Sequence, residues 1–311
     1  METEFKQLLD RKKNIDDVNT YFHDHIDILI DMVNYGSWLI PRAYDSSKKD
    51  MEAAIVIGVL LKQVITMIDS VEIQISNASI FPAFLQSRAA FEASLYIDWI
   101  IKEESGKKAN YYYVFNLLDQ RKWALRLIKG TAQQQKFQND IKELIIFSKL
   151  DFDKDKELAN KQLEEINKIL NQPVFKQIYE QFEVIYKKGK REPNWYTPIL
   201  QNGSLGIIAR AVGRYPQYLF YYDKGSKVMH SSSYTDHIKF SKKDNKIIFE
   251  PIRYLNDIDY LFRYSMQMIV HTYSSIIKKY RAGEVNNYIK KYTKDWRNYC
   301  LNIPGVNYKS A

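Results

Sequence analysis

Two sets of residues in this chain have types and spacing that could do chemistry. Arg88 and Glu92 stand at i, i+4 within IFPAFLQSRAAFEASLYIDWIIK, residues 80–102, and Tyr218, Tyr222, Ser226 and His230 recur every four residues far downstream. A guanidinium, a carboxylate and an imidazole brought together suffice for metal-free phosphodiester chemistry. His230 would move a proton and Arg88 would stabilise charge developing on phosphorus oxygens. Glu92 beside the imidazole would favour its charged form. The same groups could instead be a structural clamp, an inward polar knot that fixes helix register. Both readings stay open on the residues alone.

The segments that must position these groups read as helices. Placing one residue every 100° or so puts Phe81, Phe84, Leu85, Leu95, Tyr96 and Trp99 on one face of residues 80–102, with Arg88 and Glu92 in its middle. Ser87, Ser94 and Asp98 fall on another side, where a solvated face is expected. The ion pair is therefore expected in the core, where each member must satisfy the other. In PQYLFYYDKGSKVMHSSSYTDH, residues 216–237, Tyr218, Tyr222, Ser226 and His230 form one slowly drifting helical stripe. Gly225 inside that helix costs about 1 kcal/mol, and close approach of a backbone or a ligand would explain it.

Around these two stretches the pattern is helical throughout. Helices are expected over 4–32, with Pro41 in the loop after it, and over 51–76, 109–129, 131–149, 154–170, 173–186, 204–212, 254–281 and 284–299. The charged DFDKD turn joins two of them into a peripheral hairpin. His23, Asp24, His25, Asp27 and Asp31 resemble metal ligands as letters, but His23 and His25 diverge by roughly 200° on a helix. They read as solvated polar residues. Trp195 lies in the basic loop KKGKREPNWYTP, residues 187–198, and its ring is expected to dock back on the bundle. Residues 237–250 alternate around Asp244-Asn245 and suggest a small β-hairpin. Val285, Tyr288, Tyr292, Trp296 and Tyr299 step along one face of the last helix, aromatics inward and lysines outward.

Composition narrows the classes. Among 311 residues, 11 Gly and 8 Pro argue against a β-rich chain. The excess of 46 Lys and Arg over 37 Asp and Glu, net +9, favours anionic partners. Cys300 is the single cysteine, which excludes an internal disulfide and thiolate metal clusters. The most apolar run, 53–61, is stopped by Lys62, short of a membrane span, and METEFKQLLDRKK has no apolar signal core. A cytoplasmic protein is expected. No phosphate loop, dinucleotide fingerprint, GxSxG elbow or HExxH is present.

Arg88-x-x-x-Glu92, then Trp195, the Ile207-Ile208-Ala209 helix, and Tyr218-x-x-x-Tyr222-x-x-x-Ser226-x-x-x-His230-Ser231 resemble the bacterial family catalogued as domain of unknown function 5677, over roughly residues 50–275. A more distant likeness is to the helical HEPN ribonucleases, whose signature is an Arg followed by four to six residues and a His. The nearest approach here is Arg263 to His271, with seven residues between and Tyr264 directly after the arginine.

The expectation is a single all-α domain over 1–311, a bundle of long helices with peripheral helical hairpins and one small β-hairpin, residues 282–311 being the last helix and tail. Its catalytic candidates are Arg88, Glu92 and His230, and its ligand-binding candidates Tyr218, Tyr222, Ser226 and Trp195. The expected function is a metal-independent, HEPN-like ribonuclease or a nucleotide sensor, with a place in phage defence. The alternative is a non-catalytic interaction module whose polar cluster is structural. No cofactor and no metal is implied. An RNA or nucleotide ligand and a homodimer are the partners to be expected, and no membrane.

Overall fold

The segment 80–102 is a helix from end to end, and the helices over 51–76 and 258–280 pack against it. The computed structural model describes residues 8–46, 51–143, 156–188, 192–201, 203–241 and 246–305. Helices α1 (Arg11–Asp45), α2 (Met51–Ser76) and α3 (Ile80–Lys102) open the chain. Then come α4 (Ser105–Leu127), α5 (Ala132–Ile141), α6 (Lys156–Leu170), α7 (Pro173–Lys188) and α8 (Thr197–Leu200). Helices α9 (Leu205–Ala211), α10 (Tyr215–Gln217) and α11 (Asp223–Met229) precede a hairpin of β1 (Ile238–Ser241) and β2 (Lys246–Phe249). The last helices are α12 (Ile258–Tyr280), α13 (Val285–Lys291) and α14 (Arg297–Leu301). The chain is all-α, with one small antiparallel hairpin among the described residues, in which Ile238 faces Phe249 and Lys239 faces Ile248. The Asp244-Asn245 turn, the DFDKD turn and the end of the 131–149 segment lie outside the described residues.

The described residues group into two compact units, Met1–Glu104 with Leu205–Ala311, and Ser105–Ser204. In the first, α1, α2, α3 and α12 pack on one another. Their apolar stripes supply Phe22, Leu29, Leu61, Val64, Ile68, Phe91, Phe262 and Ile276, all buried. In the second, α4 packs on α5, α6 and α7. Phe182 there is fully buried against Tyr111 and Phe115.

Helix α2 has the length and mean hydropathy, 1.9, of a membrane span by composition, and half of that window is buried inside the protein. The run 53–61 does not stop at Lys62, which is exposed while the helix continues to Ser76. Long apolar helices that pack on several neighbours meet the same description.

Helix α1 runs well past the expected end at Met32 and takes in Pro41. Proline forfeits one hydrogen bond, but here it falls in the final turns, and Gly36, Leu39 and Ala43 continue the buried stripe. Gly36 has no room for a side chain, because Tyr273 of α12 lies against it and donates its hydroxyl to Met32 O at 2.8 Å. His25, expected in solvent, is buried, with Phe22, Phe262 and Tyr299 around its ring. Burial lowers its pKa, against a raising contribution from the carbonyl of Asn302 at 3.2 Å. It therefore packs as a neutral imidazole.

Candidate functional site

Helix α11 crosses α3 at Gly225. A Cβ there would stand 2.6 Å from Phe84 O and 2.6 Å from Arg88 Cβ, so the close backbone approach suggested by a mid-helix glycine is present. That approach lays α11 and the turn before it over Arg88. The turn, Tyr218–Tyr222, is π-helical. Such wide turns occur mostly as single insertions in helices and frequently at functional sites.

Arg88 uses all three nitrogens. Nε donates to Glu92 Oε1 at 3.0 Å, one terminal nitrogen to Tyr222 Oη at 2.7 Å, and the other to Met229 Sδ at 2.8 Å. Its carbon centre lies 4.4 Å from the centroid of the Tyr222 ring, within cation–π range. Tyr218 stacks on Tyr222 at 4.8 Å and on Tyr215 at 5.8 Å, and Arg210 lies over the Tyr215 ring at 3.7 Å. Burial raises the pKa of both Tyr218 and Tyr222, further helped by Glu92 and only partly opposed by Arg88. Both phenols stay protonated near neutral pH. The result is a cationic and aromatic face built from α3 and the segment 215–229.

His230 does not join it. Helix α11 ends at Met229, His230 caps it with its backbone N–H on Ser226 O, and Ser231 turns the chain away with φ +52°. The imidazole is exposed and makes no hydrogen bond or ring contact among the described residues. The single interior hollow expected for guanidinium, carboxylate and imidazole is thus not formed. Ser226 is half-buried on α11. Trp195 belongs to the second unit, where it is buried with Tyr112 and Tyr196 edge-on to its ring.

The expected sides of α3 are also exchanged. Arg88 and Glu92 are only half-buried, whereas Ser87, Ser94 and Asp98, expected in solvent, are buried. Asp98 is the centre of a second polar cluster that the spacing did not suggest. Arg214 donates to Asp98 Oδ2 at 2.8 Å, to Ser94 Oγ, and through Nε to Gln217 Oε1 at 2.6 Å. His271 Nε2 stands 3.0 Å from the same Asp98 oxygen and donates to it. Burial pushes the Asp98 pKa up, but the hydrogen bond from His271, the charge of Arg214 and a hydrogen bond from Ser275 outweigh it. The carboxyl is held below the usual aspartate range. A signal for this cluster was available: Asp98 sits in YIDWII, where neighbours on every side are apolar. An acid so surrounded needs a buried cation. Arg263 and His271 do not converge, since Arg263 reaches Leu301 O at 3.5 Å instead.

The fold and this geometry define an all-helical protein in which a π-helical turn and a short helix lie across an arginine on a long central helix. The profile of the family of unknown function DUF5677 matches residues 54–247, more than half of the chain, and the protein belongs to that family. No curated protein and no solved structure matches it.

Proposed function

We propose that the face formed by Arg88, Tyr218, Tyr222 and the end of α11 binds a phosphate-bearing ligand, RNA or a nucleotide, and that His230 is its proton-transfer group. The observation that carries this reading is the partner of one Arg88 nitrogen. A thioether is a weak acceptor, and Met229 is itself an exposed, flexible side chain. A phosphate oxygen arriving there replaces sulfur with a charge-assisted bond. His230 is the next residue along the chain and its side chain is exposed to solvent, free to turn to a ligand seated at the end of α11. The Tyr222 hydroxyl accepts from Arg88 and keeps its own proton to donate. In RNA, His230 would take the proton of a 2′-hydroxyl as its oxygen attacks phosphorus, the P–O5′ bond breaks and the departing 5′-oxygen takes a proton from water, with Arg88 holding the charge on the phosphoryl oxygens. The net charge of +9 favours such a partner by long-range attraction. A cytoplasmic, HEPN-like ribonuclease with a defence role is the form this reading takes.

The test is incubation of the protein and of its His230→Ala and Arg88→Lys variants with total RNA in the presence of chelator. Cleavage by the wild type and a loss of about a hundredfold or more in His230→Ala are expected, the scale of a lost general base. Equal cleavage by both, or none by either, would overturn the catalytic reading.

A second reading has its own observation. Every Arg88 nitrogen already has an acceptor, and Gly225 locks α11 to α3. On this reading the cluster clamps two helices of a non-catalytic interaction module, with Leu219, Phe220 and Met229 exposed on the same segment. Arg88→Met would then lower stability without altering any RNA-dependent readout.

A further inference from the structure

A cleft of about 600 Å³ lies between α1 and α13, and every residue lining it falls outside the family-matched region 54–247. Helix periodicity builds both walls. Asp31, Asn34, Trp38 and Arg42 follow one another along a single stripe of α1, and Glu284, Asn287 and Lys291 along a single stripe at α13.

The charges of the walls are already matched within the protein. Glu284 takes both Arg42 and Arg281, while Lys291 is shared by Asp31 and Asp295 at 2.7 and 2.9 Å. Asp31 is fixed further by the indole N–H of Trp296 at 2.7 Å. Three acids balance three bases, so the cleft offers no surplus charge to a polyanion. It offers instead one broad exposed surface: the indole of Trp38, 69% exposed on the wall, with the Arg42 guanidinium 5.9 Å from its ring centre and the rest of the ring open to solvent. Beneath, Tyr35 packs on Tyr273, Tyr288 and Trp296 as a rigid aromatic floor. Burial raises the Tyr35 pKa, so its hydroxyl stays a donor. The exposed carboxamides of Asn34 and Asn287 each present a donor and an acceptor.

A second π-helical turn, Tyr292–Trp296, directly follows Lys291. It seats Trp296 in the interior with its N–H on Asp31 while Lys291, just before the same turn, reaches that carboxylate too. Wide turns of this kind give up regular helix hydrogen bonds and are found frequently where a function uses the altered register.

We infer that this cleft binds a nucleobase, stacked on Trp38 and read at its edge by Asn34 and Asn287. The chemistry favours a planar, uncharged ring with donors and acceptors on its rim: the ring fills the indole face, and paired wall charges repel no neutral group. Aromatic stacking is sequence-tolerant and the two amides can add edge contacts. The base could belong to a free nucleoside or to single-stranded RNA, and the volume accommodates a ribose as well. The inference does not depend on His230 or Arg88.

Calorimetric titration of the full chain with adenosine, guanosine, cytidine and uridine, and with a single-stranded RNA hexamer, tests it. The His230→Ala background is used so that the strand is not consumed. At least one nucleoside is expected to bind with micromolar to low millimolar affinity. Trp38→Ala is expected to weaken that binding roughly 5- to 100-fold, the range that one stacked base supplies. Asn287→Ala should change the preference among bases. Both side chains are exposed, and an unchanged melting temperature confirms that the variants fold. Tighter binding of the hexamer than of any nucleoside, lost in Trp38→Ala, identifies RNA as the source of the base. Nucleoside binding that the hexamer does not match identifies a free nucleoside. No binding of any probe at millimolar concentration, or binding indifferent to Trp38→Ala, overturns the inference.

Discussion

Arg88 with Glu92, and Asp98 with Arg214, are two ion pairs anchored on the same helix, and they have opposite characters. The first joins neighbours on one helix, with side chains 13% and 30% exposed. The second joins residues 116 apart in sequence, with side chains 3% and 7% exposed. Coulomb attraction in the first is screened by nearby water, so the pair contributes little and its members remain able to exchange partners. In the second, each charge has lost its hydration, and removing either leaves the other stranded. One of the Arg214 terminal nitrogens already has no acceptor among the described residues. The difference separates roles: the half-buried pair suits ligand exchange, and the buried one suits holding α3, α10 and α12 in register.

The largest effect should come from breaking the buried pair. Asp98→Ala is expected to cost about 3–5 kcal/mol by urea denaturation, because Arg214 becomes an unpaired buried charge. A cost under about 1 kcal/mol would mean that water already reaches the pair.

The acid limb of stability comes next in size. Asp98 has a folded pKa below its unfolded value, so its contribution is complete above the ordinary aspartate range and is lost as pH falls through the depressed folded value. Denaturation midpoints measured from about pH 5 down to about pH 2 should therefore fall more steeply for the wild type than for Asp98→Asn. Parallel profiles would remove the special status of this carboxylate.

The smallest effect belongs to the half-buried pair. Glu92→Gln keeps an acceptor for Arg88 and is expected to cost at most about 1 kcal/mol, reduced further by salt. If it equalled Asp98→Ala, the contrast between the two pairs would collapse.

Local information accounts for what was legible in the sequence. Helical periods, the glycine that marks the α3–α11 crossing, the pairing of Arg88 with Glu92 at i, i+4, the small hairpin, and the inward turn of Trp195, Tyr288 and Trp296 all reflect neighbours along the chain. The miss on α3 came from treating a helix as having one wet side. Helix α3 packs against α2, α11 and α12 at once, so a polar residue on any face can be enclosed. The miss at His230 came from extending a four-residue stripe one step beyond the helix. The positive φ of Ser231 turns the chain there, and a stripe of side chains carries no information about where a backbone leaves its helix.

The sequence by itself determined the helical class, most of the helices, and which helix carries the arginine, because backbone propensity and apolar periodicity act within a few turns. Only the tertiary structure decided that Asp98, Arg214 and His271 share one buried cluster, that His230 stands in solvent, and that α1 and α13 enclose a cleft. Those outcomes depend on which faces meet across long stretches of chain, and burial, unlike helix formation, is a property of the meeting and not of the segment.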